Sequence, residues 1–184
     1  MSRWVRVLML GTFLASGSAN YARSPLWQGP TPSATKPQAE RGEAVIALRR
    51  EPGYWGLGPT YTLLIYADGR VVFIGQSNVK TKGIAEGNIT QEQLQQLVRA
   101  FEEIGYFSLL DSYGEGGGCP FYLTDGPTAR TELRLKDKKK AVFHDSGCAE
   151  EVKKGELLPY PKGLTSVEDL IDAVTKSSQW VGGR

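Results

Sequence analysis

The stretch TYTLLIYADGRVVFIG, residues 60–75, decides the fold of this chain. Two runs rich in β-branched and aromatic residues flank Asp68-Gly69, a pair that tolerates the positive φ angles of a type I′ turn. We therefore predict a tight β-hairpin in which Ile65 faces Val72. Both faces of this hairpin are apolar, whereas a strand on a wetted sheet surface alternates apolar and polar residues. The hairpin is thus expected in the middle of a sheet, with a layer packed on each side.

Period-two alternation predicts one strand before this hairpin, over Glu43–Arg50, and one after it, over Asn78–Ala85. The later segment places two lysines on one face, which is typical of a strand near the edge of a sheet. Four strands in succession therefore predict an antiparallel meander.

The spacing of apolar residues becomes helical after the meander. Thr90 and Gln93 have the spacing of a capping box, in which each side chain binds the backbone N–H of the other residue. Apolar residues then recur every three or four positions as far as Gly105, and glycine commonly ends a helix. The residues from Tyr106 to Tyr113 are predicted to be extended.

A second hairpin is predicted in the later half of the chain. One strand runs over Ala129–Leu135, the chain turns at Asp137-Lys138, and the second strand returns over Ala141–His144. The glycine-rich segment 114–118 before it and residues 145–163 after it are predicted to be loops.

A closing helix is predicted from about Thr165 to Lys176, with Thr165 or Ser166 as its N-cap. Its acidic residues Glu168 and Asp169 suit the positive end of the helix dipole. The predicted fold class is therefore α+β. An antiparallel β-sheet, made of the meander and the second hairpin, is packed with two helices.

The bulk composition is that of a globular protein: of 184 residues, 40% are hydrophobic and 23% are charged. Lysine and arginine number 22 against 20 aspartate and glutamate, and two of the arginines, Arg3 and Arg6, lie in a segment that we expect to be removed. A mature chain of net charge near zero lacks the basic excess that supplies nonspecific affinity for nucleic acid. Nucleic acid is therefore not an expected partner.

Residues 1–19 have the three parts of a secretory signal peptide: a basic start, an apolar run from Val7 to Ala15, and small residues before the predicted cleavage site after Ala19. The apolar run is about half the length that a membrane-spanning helix needs, so an integral membrane protein is not expected. Residues 20–42 are rich in proline and polar residues and predict a disordered tether. A single globular α+β domain is predicted over residues 43–181, in a periplasmic or secreted protein.

Cys119 and Cys148 make an even pair of cysteines in a chain predicted to reach an oxidising compartment. A disulfide between them is the favoured interpretation. The alternative makes Cys119 a nucleophile with His144, the one histidine of the chain, as its base.

No catalytic or metal-binding pattern is convincing. His144, Asp145 and Ser146 are the residue types of a catalytic triad, but members of a triad converge from separated positions. Three carboxylates near the glycine-rich loop match no EF-hand spacing: Asp111, Glu115 and Asp125. No cofactor, metal site or catalytic residue is therefore predicted.

Four aromatic residues lie in predicted loops: Tyr54, Trp55, Phe121 and Tyr122. Large aromatic side chains are mostly buried, so packing over the ends of the core is the favoured interpretation. Exposed aromatic residues in loops can instead form a binding surface.

The chain resembles a family of exported, mostly bacterial proteins known only as a domain of unknown function. The resemblance spans about residues 43–180 and lies in a series of segments: IALRREPGYWGLGPTYTLLIYADGRVVFIG, ITQEQLQQLVRAFEEIGYFSLLDSY, TDGP, KKAVFHDSGC, and PKGLTSVEDLIDAV followed by Trp180. Where that family commonly has Cys-x-Gly-x-Cys before the hairpin, this chain has Tyr54 and Gly58 at the cysteine positions. The resemblance implies export and fold and transfers no activity.

These observations leave function classes in competition. The leading hypothesis is a noncatalytic module that binds an envelope protein or a cell-surface component through the loops around Tyr54, Trp55 and Phe121. The alternative is a small hydrolase that uses Cys119 or Ser146 with His144. A purely structural envelope protein without a defined ligand is the third hypothesis.

Overall fold

The computed structural model describes residues 43–124 and 126–182. The predicted signal peptide and tether lie outside the described residues. Within the described ranges, the strands are β1 (Ala44–Glu51), β2 (Thr60–Tyr66), β3 (Arg70–Ser77), β4 (Gly83–Asn88), β5 (Ser112–Tyr113), β6 (Phe121–Tyr122), β7 (Thr128–Leu135), β8 (Lys138–Asp145), β9 (Cys148–Lys153) and β10 (Glu156–Pro159). The helices are α1 (Gln91–Glu103), α2 (Leu164–Thr175) and α3 (Ser178–Val181).

The strands form two sheets. The larger has seven strands in the order β4-β3-β2-β1-β7-β8-β5, and the smaller has three in the order β10-β9-β6. Every pair in both sheets is antiparallel except β5 with β8. The predicted meander, the second hairpin and the α+β class are therefore confirmed, and β4 lies at a sheet edge as predicted.

The turn of the central hairpin differs from the predicted type I′ turn, and the register differs by one residue. Ile65 pairs with Val71 rather than with Val72, which leaves a three-residue loop, Ala67-Asp68-Gly69. Gly69 has a positive φ of 85°, whereas Asp68 does not have a positive φ. The Asp68 side chain accepts a hydrogen bond from the backbone N–H of Arg70 at 3.0 Å. An aspartate side chain that accepts a hydrogen bond from the backbone two residues later favours a type I turn followed by a left-handed glycine. The loop is therefore one residue longer than the predicted two-residue turn.

Replacing Gly69 with valine is expected to lower the free energy of unfolding by about 1–2 kcal/mol, because a β-branched residue resists a positive φ. A Cβ atom at this position would also collide with the carbonyl oxygen of Ile89. Gly117 is a matched control, since its φ is not positive and a Cβ atom there would meet no neighbour. Urea denaturation of the two valine variants should show a lower midpoint for Gly69→Val alone; equal midpoints would contradict the turn assignment.

The fourth strand begins five residues later than predicted, at Gly83. The backbone N–H groups of Lys80 and Thr81 donate instead to Val181 O and Trp180 O, at 3.0 and 2.9 Å. Residues 80 and 81 are therefore bound to α3, which prevents them from extending β4.

The core lies on one face of the large sheet. Leu48, Leu63 and Phe73 on that face belong to the same buried cluster as Leu97 of α1 and Ile171 of α2.

The opposite face of the large sheet is only partly covered. On it, Leu64 and Ile74 are half-buried, and Ile84 is exposed. The Arg70 guanidinium lies 3.6 Å above the centre of the Tyr66 ring on the same face. Among the described residues, the expected second packed layer is thus not found, although β2 and β3 do lie inside the sheet.

The two predicted helix caps have opposite outcomes. Thr90 and Gln93 form the predicted capping box at the start of α1, and Gly105, with a φ of 64°, follows its end. The N-cap of α2 is Gly163, with no side-chain hydrogen bond, so the prediction of Thr165 or Ser166 is wrong. Helix α2 starts one residue earlier than predicted because Gly163 supplies the turn into it.

Three segments predicted as irregular or extended differ in the structure. Residues 106–108 form a 3₁₀ turn rather than an extended strand. The turn of the second hairpin is Lys136-Asp137, one residue earlier than predicted. Strands β9 and β10 occupy most of the predicted loop 145–163, because this charged segment forms a hairpin around Gly155, whose φ is 82°.

Candidate functional site

The loop between β1 and β2, residues 52–59, carries the most exposed large apolar side chains of the described residues. Tyr54, Trp55 and Leu57 are 78%, 77% and 87% exposed. The rings of Tyr54 and Trp55 lie edge to face, 5.6 Å apart. The favoured expectation that these two aromatic residues pack over the core is therefore wrong, and we call residues 52–59 the aromatic loop.

Asn78 holds the aromatic loop in place. Its side-chain amide donates to Gly56 O at 2.8 Å and to Gly58 O at 3.0 Å. Within the loop, Gly56 N also donates to Gly53 O at 2.9 Å. Asn78 has a φ of 53°, in the left-handed region that asparagine tolerates better than most residues. The loop is thus fixed by the start of the segment that leads to β4, and its apolar side chains are presented rather than buried.

A cleft of about 840 Å³ lies between the aromatic loop and the region of α2 and α3. Trp55 and Leu57 line it on the loop side, and Val181 lines it on the helix side. Arg50, Asp169 and Asp172 supply charged groups to the lining. A cleft of this size matches sites that hold ligands of several hundred daltons.

Arg50 connects the cleft to the helix behind it. Its Nε donates to Asp172 Oδ2 at 3.1 Å, and its Nη2 donates to Asp169 Oδ1 at 2.8 Å. Its Nη1 lies 3.6 Å from Glu168 Oε2. Burial opposes the positive charge, but the carboxylates of Asp172, Glu168 and Asp169 outweigh burial and raise the pKa of Arg50 above its ordinary value.

Asp172 is the most fully hydrogen-bonded carboxylate of the site. Its Oδ1 accepts from Tyr61 OH at 2.7 Å and from Ser177 Oγ at 2.6 Å, and its Oδ2 accepts from Arg50. Burial and the Asp172 charge raise the pKa of Tyr61 above its ordinary value, so the phenol remains a proton donor. The arrangement fixes Asp172 in one geometry and does not activate a nucleophile.

Glu168 joins this network to His144. Both side chains are 2% exposed, and His144 Nδ1 lies 3.0 Å from Glu168 Oε1. The other ring nitrogen, Nε2, is buried and has no hydrogen-bond partner among residues 43–124 and 126–182. The prediction that Glu168 and Asp169 complement the dipole of α2 is wrong, because the first turn of α2 contains no acidic residue and Glu168 is buried against His144 and Arg50.

The structure does not assemble the residues of the predicted hydrolase alternative. A disulfide joins Cys119 to Cys148, which matches the predicted pairing and leaves no free thiol at Cys119. Ser146 is exposed in the turn after β8, whereas the His144 ring is buried and bonded to Glu168.

The second pair of predicted binding aromatics lies away from the cleft. Phe121 is half-exposed on β6, and Tyr122 donates its hydroxyl proton to Asp145 Oδ2 at 2.9 Å. Neither residue lines the cleft. The structure therefore separates Phe121 and Tyr122 from Trp55 and does not bring the four aromatics into one surface.

The carboxylates considered for calcium do not form a site in the described part of the chain. Asp111 binds Lys140 Nζ at 2.6 Å, and Asp125 lies outside the described residues. No group of three or more histidine, cysteine, aspartate or glutamate side chains among residues 43–124 and 126–182 is placed to hold a metal ion. In the same ranges, no helix is both long enough and apolar enough to span a bilayer.

Sequence reasoning missed Arg50, Asn78, Asp172 and Ser177 as site residues. A signal for Arg50 was present in the sequence, because Ile46, Leu48 and Arg50 lie on one face of β1 by period two. An arginine on the same strand face as buried apolar residues requires carboxylate partners for its charge. For Asn78 and Asp172, no signal was available, because their contacts with Gly56 and Tyr61 join segments more than twenty residues apart in the chain. Ser177 lies only five residues from Asp172, and its contact depends on the turn that ends α2.

One family model, described as Domain of unknown function (DUF6438), matches residues 44–173. The matched range includes both sheets, α1 and most of α2, and it contains Arg50, Trp55, Asp169 and Asp172. The chain belongs to this family. No curated protein matches it.

Proposed function

We propose that this chain is an exported, noncatalytic binding module that holds a partner in the cleft beside the aromatic loop. The partner is an envelope protein or a cell-surface component. The observation that carries this proposal is the exposure of Trp55 and Leu57, 77% and 87%, on a loop that Asn78 fixes from behind. Exposed aromatic side chains held in one geometry bind with little loss of conformational freedom.

The polar groups of the cleft support binding rather than chemistry. Arg50 and Asp172 are engaged with each other, and Asp172 receives two further hydrogen bonds, from Tyr61 and Ser177. A general base or nucleophile needs a free lone pair directed at a substrate, with a neighbour that takes up or supplies the proton. The disulfide removes Cys119 from such a role.

Export is part of the proposal and has its own test. Residues 1–19 have the composition of a signal peptide, and a disulfide is the state expected of a cysteine pair in an oxidising compartment. The mature protein is expected in the periplasm or medium, with an N-terminus near Asn20. N-terminal sequencing that returned Met1 from a membrane fraction would contradict export.

Replacing Trp55 with alanine is expected to abolish partner capture without changing the melting temperature, because the side chain contributes little to the core. The measurement is quantitative mass spectrometry of proteins crosslinked to the full chain in the envelope fraction. Ile84→Ala is the matched control, since Ile84 is also a highly exposed apolar residue but does not line the cleft. Partners retained by Ile84→Ala and lost by Trp55→Ala support the proposal; an unchanged set in both variants refutes it.

A further inference from the structure

The charges that line the cleft are unbalanced. Three carboxylates line it together with Arg50, namely Glu51, Asp169 and Asp172. Glu51 is paired with Arg49 at 2.5 Å, whereas Asp169 and Asp172 depend on Arg50. A fourth carboxylate, Glu168, lies directly behind Arg50. Arg49 balances Glu51, but the single guanidinium of Arg50 does not neutralise Asp169, Asp172 and Glu168, so the cleft attracts a cation and repels an anion.

Asp169 is the carboxylate that a ligand can reach. Its side chain is 68% exposed, and its known partner is Arg50, at 2.8 Å. Asp172 is only 22% exposed and is already surrounded by Arg50, Tyr61 and Ser177. A cationic group that enters the cleft therefore meets Asp169 first, without displacing the buried hydrogen bonds.

The loop side of the cleft has the opposite chemistry. Trp55 and Leu57 project there with most of their surface in solvent, and Pro52 and Pro59 extend the same wall. An indole ring binds apolar groups, and its face also attracts a cation. A ligand that satisfies both sides carries a positive charge next to an apolar group.

We propose that the cleft takes a cationic, amphipathic segment of polypeptide, in which a lysine or arginine lies beside apolar side chains. The cation pairs with Asp169, and the apolar side chains cover Trp55 and Leu57. A volume of about 840 Å³ accommodates several residues rather than one side chain. This inference rests on the proposed function of the cleft as a binding site and adds the chemical class of the partner.

A random heptapeptide library displayed on phage is the probe. Selection uses the full chain, with depletion against Trp55→Ala to remove peptides that bind elsewhere. The expected result is enrichment of lysine or arginine next to leucine, isoleucine, valine or an aromatic residue. Enrichment of acidic or uncharged peptides overturns the inference. If no peptide is enriched and the chain binds sugars on a glycan array, the cleft is a carbohydrate site. That result also overturns the inference.

The charge contact is tested with two matched carboxylates. Asp169→Asn is expected to weaken the binding of a selected synthetic peptide by roughly fivefold at low salt, with a smaller effect at high salt. Asp111→Asn is the control, because Asp111 is also exposed, 88%, and also pairs with a cation, Lys140, but it lies outside the cleft. The control variant should bind as the unmodified chain does.

Failure of the inference can be distinguished from failure of the proposed function. If Trp55→Ala abolishes peptide binding while Asp169→Asn leaves it unchanged, the cleft is a binding site and the cationic class is wrong. If neither variant changes the binding of the peptide, both the site and the class are wrong. Replacing the lysine or arginine of the selected peptide with glutamine should reproduce the loss caused by Asp169→Asn; full binding of the glutamine peptide contradicts the charge contact.

Discussion

Replacing Arg50 with methionine is expected to lower the free energy of unfolding by about 3 kcal/mol. This value lies near the lower end of the range for breaking a buried ion pair, because 23% of the Arg50 side chain is exposed to solvent. Methionine keeps most of the aliphatic stem, so the loss arises from the charge and its hydrogen bonds. Without the guanidinium, Glu168 and Asp172 remain together beneath α2 with no cation between them. Urea denaturation monitored by circular dichroism measures the change.

Arg49 is the control for this prediction. It is the preceding residue of β1, and it also pairs with a carboxylate, Glu51, at 2.5 Å. The pair is exposed, 45% and 43%, so Arg49→Met should cost less than about 1 kcal/mol. Equal losses in the two methionine variants would contradict the assigned role of Arg50.

A double variant separates the charge from the shape of the site. Glu168→Gln removes one of the uncompensated carboxylates while leaving an amide oxygen within reach of His144 Nδ1. Added to Arg50→Met, it should recover part of the lost stability, because neighbouring charges do not contribute additively. A purely additive further loss would show that Glu168 does not depend on Arg50.

Replacing both Cys119 and Cys148 with serine is expected to lower the free energy of unfolding by roughly 3–4 kcal/mol. The loss arises because the unfolded chain is no longer restrained by a closed loop of about 30 residues. The two cysteines are separated by 29 positions, and Cys148 is fully buried at the start of β9. Segment 114–118, which precedes Cys119, is a turn closed by reciprocal backbone hydrogen bonds between Gly114 and Gly117 rather than an irregular loop. The disulfide attaches this turn to the small sheet.

The same pair also decides between classes of function. Mass spectrometry of the unreduced protein should give a mass two hydrogen atoms below that of the reduced form, with no alkylation of the native chain. Rapid native labelling at Cys119 would contradict the disulfide and would restore the nucleophile hypothesis. Binding of a cleft ligand should persist in the double serine variant, since neither cysteine lines the cleft.

Local signals allowed much of the fold to be predicted. The capping box of Thr90 and Gln93 spans four residues, and its energetics depend on little beyond those residues. The order of the meander followed from the succession of four strand-like segments in the chain. The register of the central hairpin did not follow, because Asp68-Gly69 fits two turns that differ by one residue, and a bond from Arg70 N to Asp68 decides between them.

Predictions failed where a distant segment competes with the local preference. Lys80 and Thr81 have a strand-like sequence, yet their backbone donors bind residues of α3. The sequence predicts Glu168 as an acid that complements the dipole of α2, yet it lies beyond the first turn, and His144 and Arg50 bind it beneath the helix. The exposure of Trp55 had no sequence signal, since an exposed loop tryptophan and one that packs over the core have the same neighbours in the chain.

The hydrogen bonds from Lys80 and Thr81 to Val181 and Trp180 also have a kinetic consequence. They join positions about a hundred residues apart, and the Trp180 ring stacks on Phe73 of β3 at 5.2 Å between centres. Contacts of such long sequence separation form late and make folding slow. One wall of the cleft follows β1 and the other belongs to α2 and α3, so a nascent chain has no cleft until the C-terminal helices have been synthesised. A partner of the kind proposed for the cleft would therefore bind only after the C-terminal helices have packed.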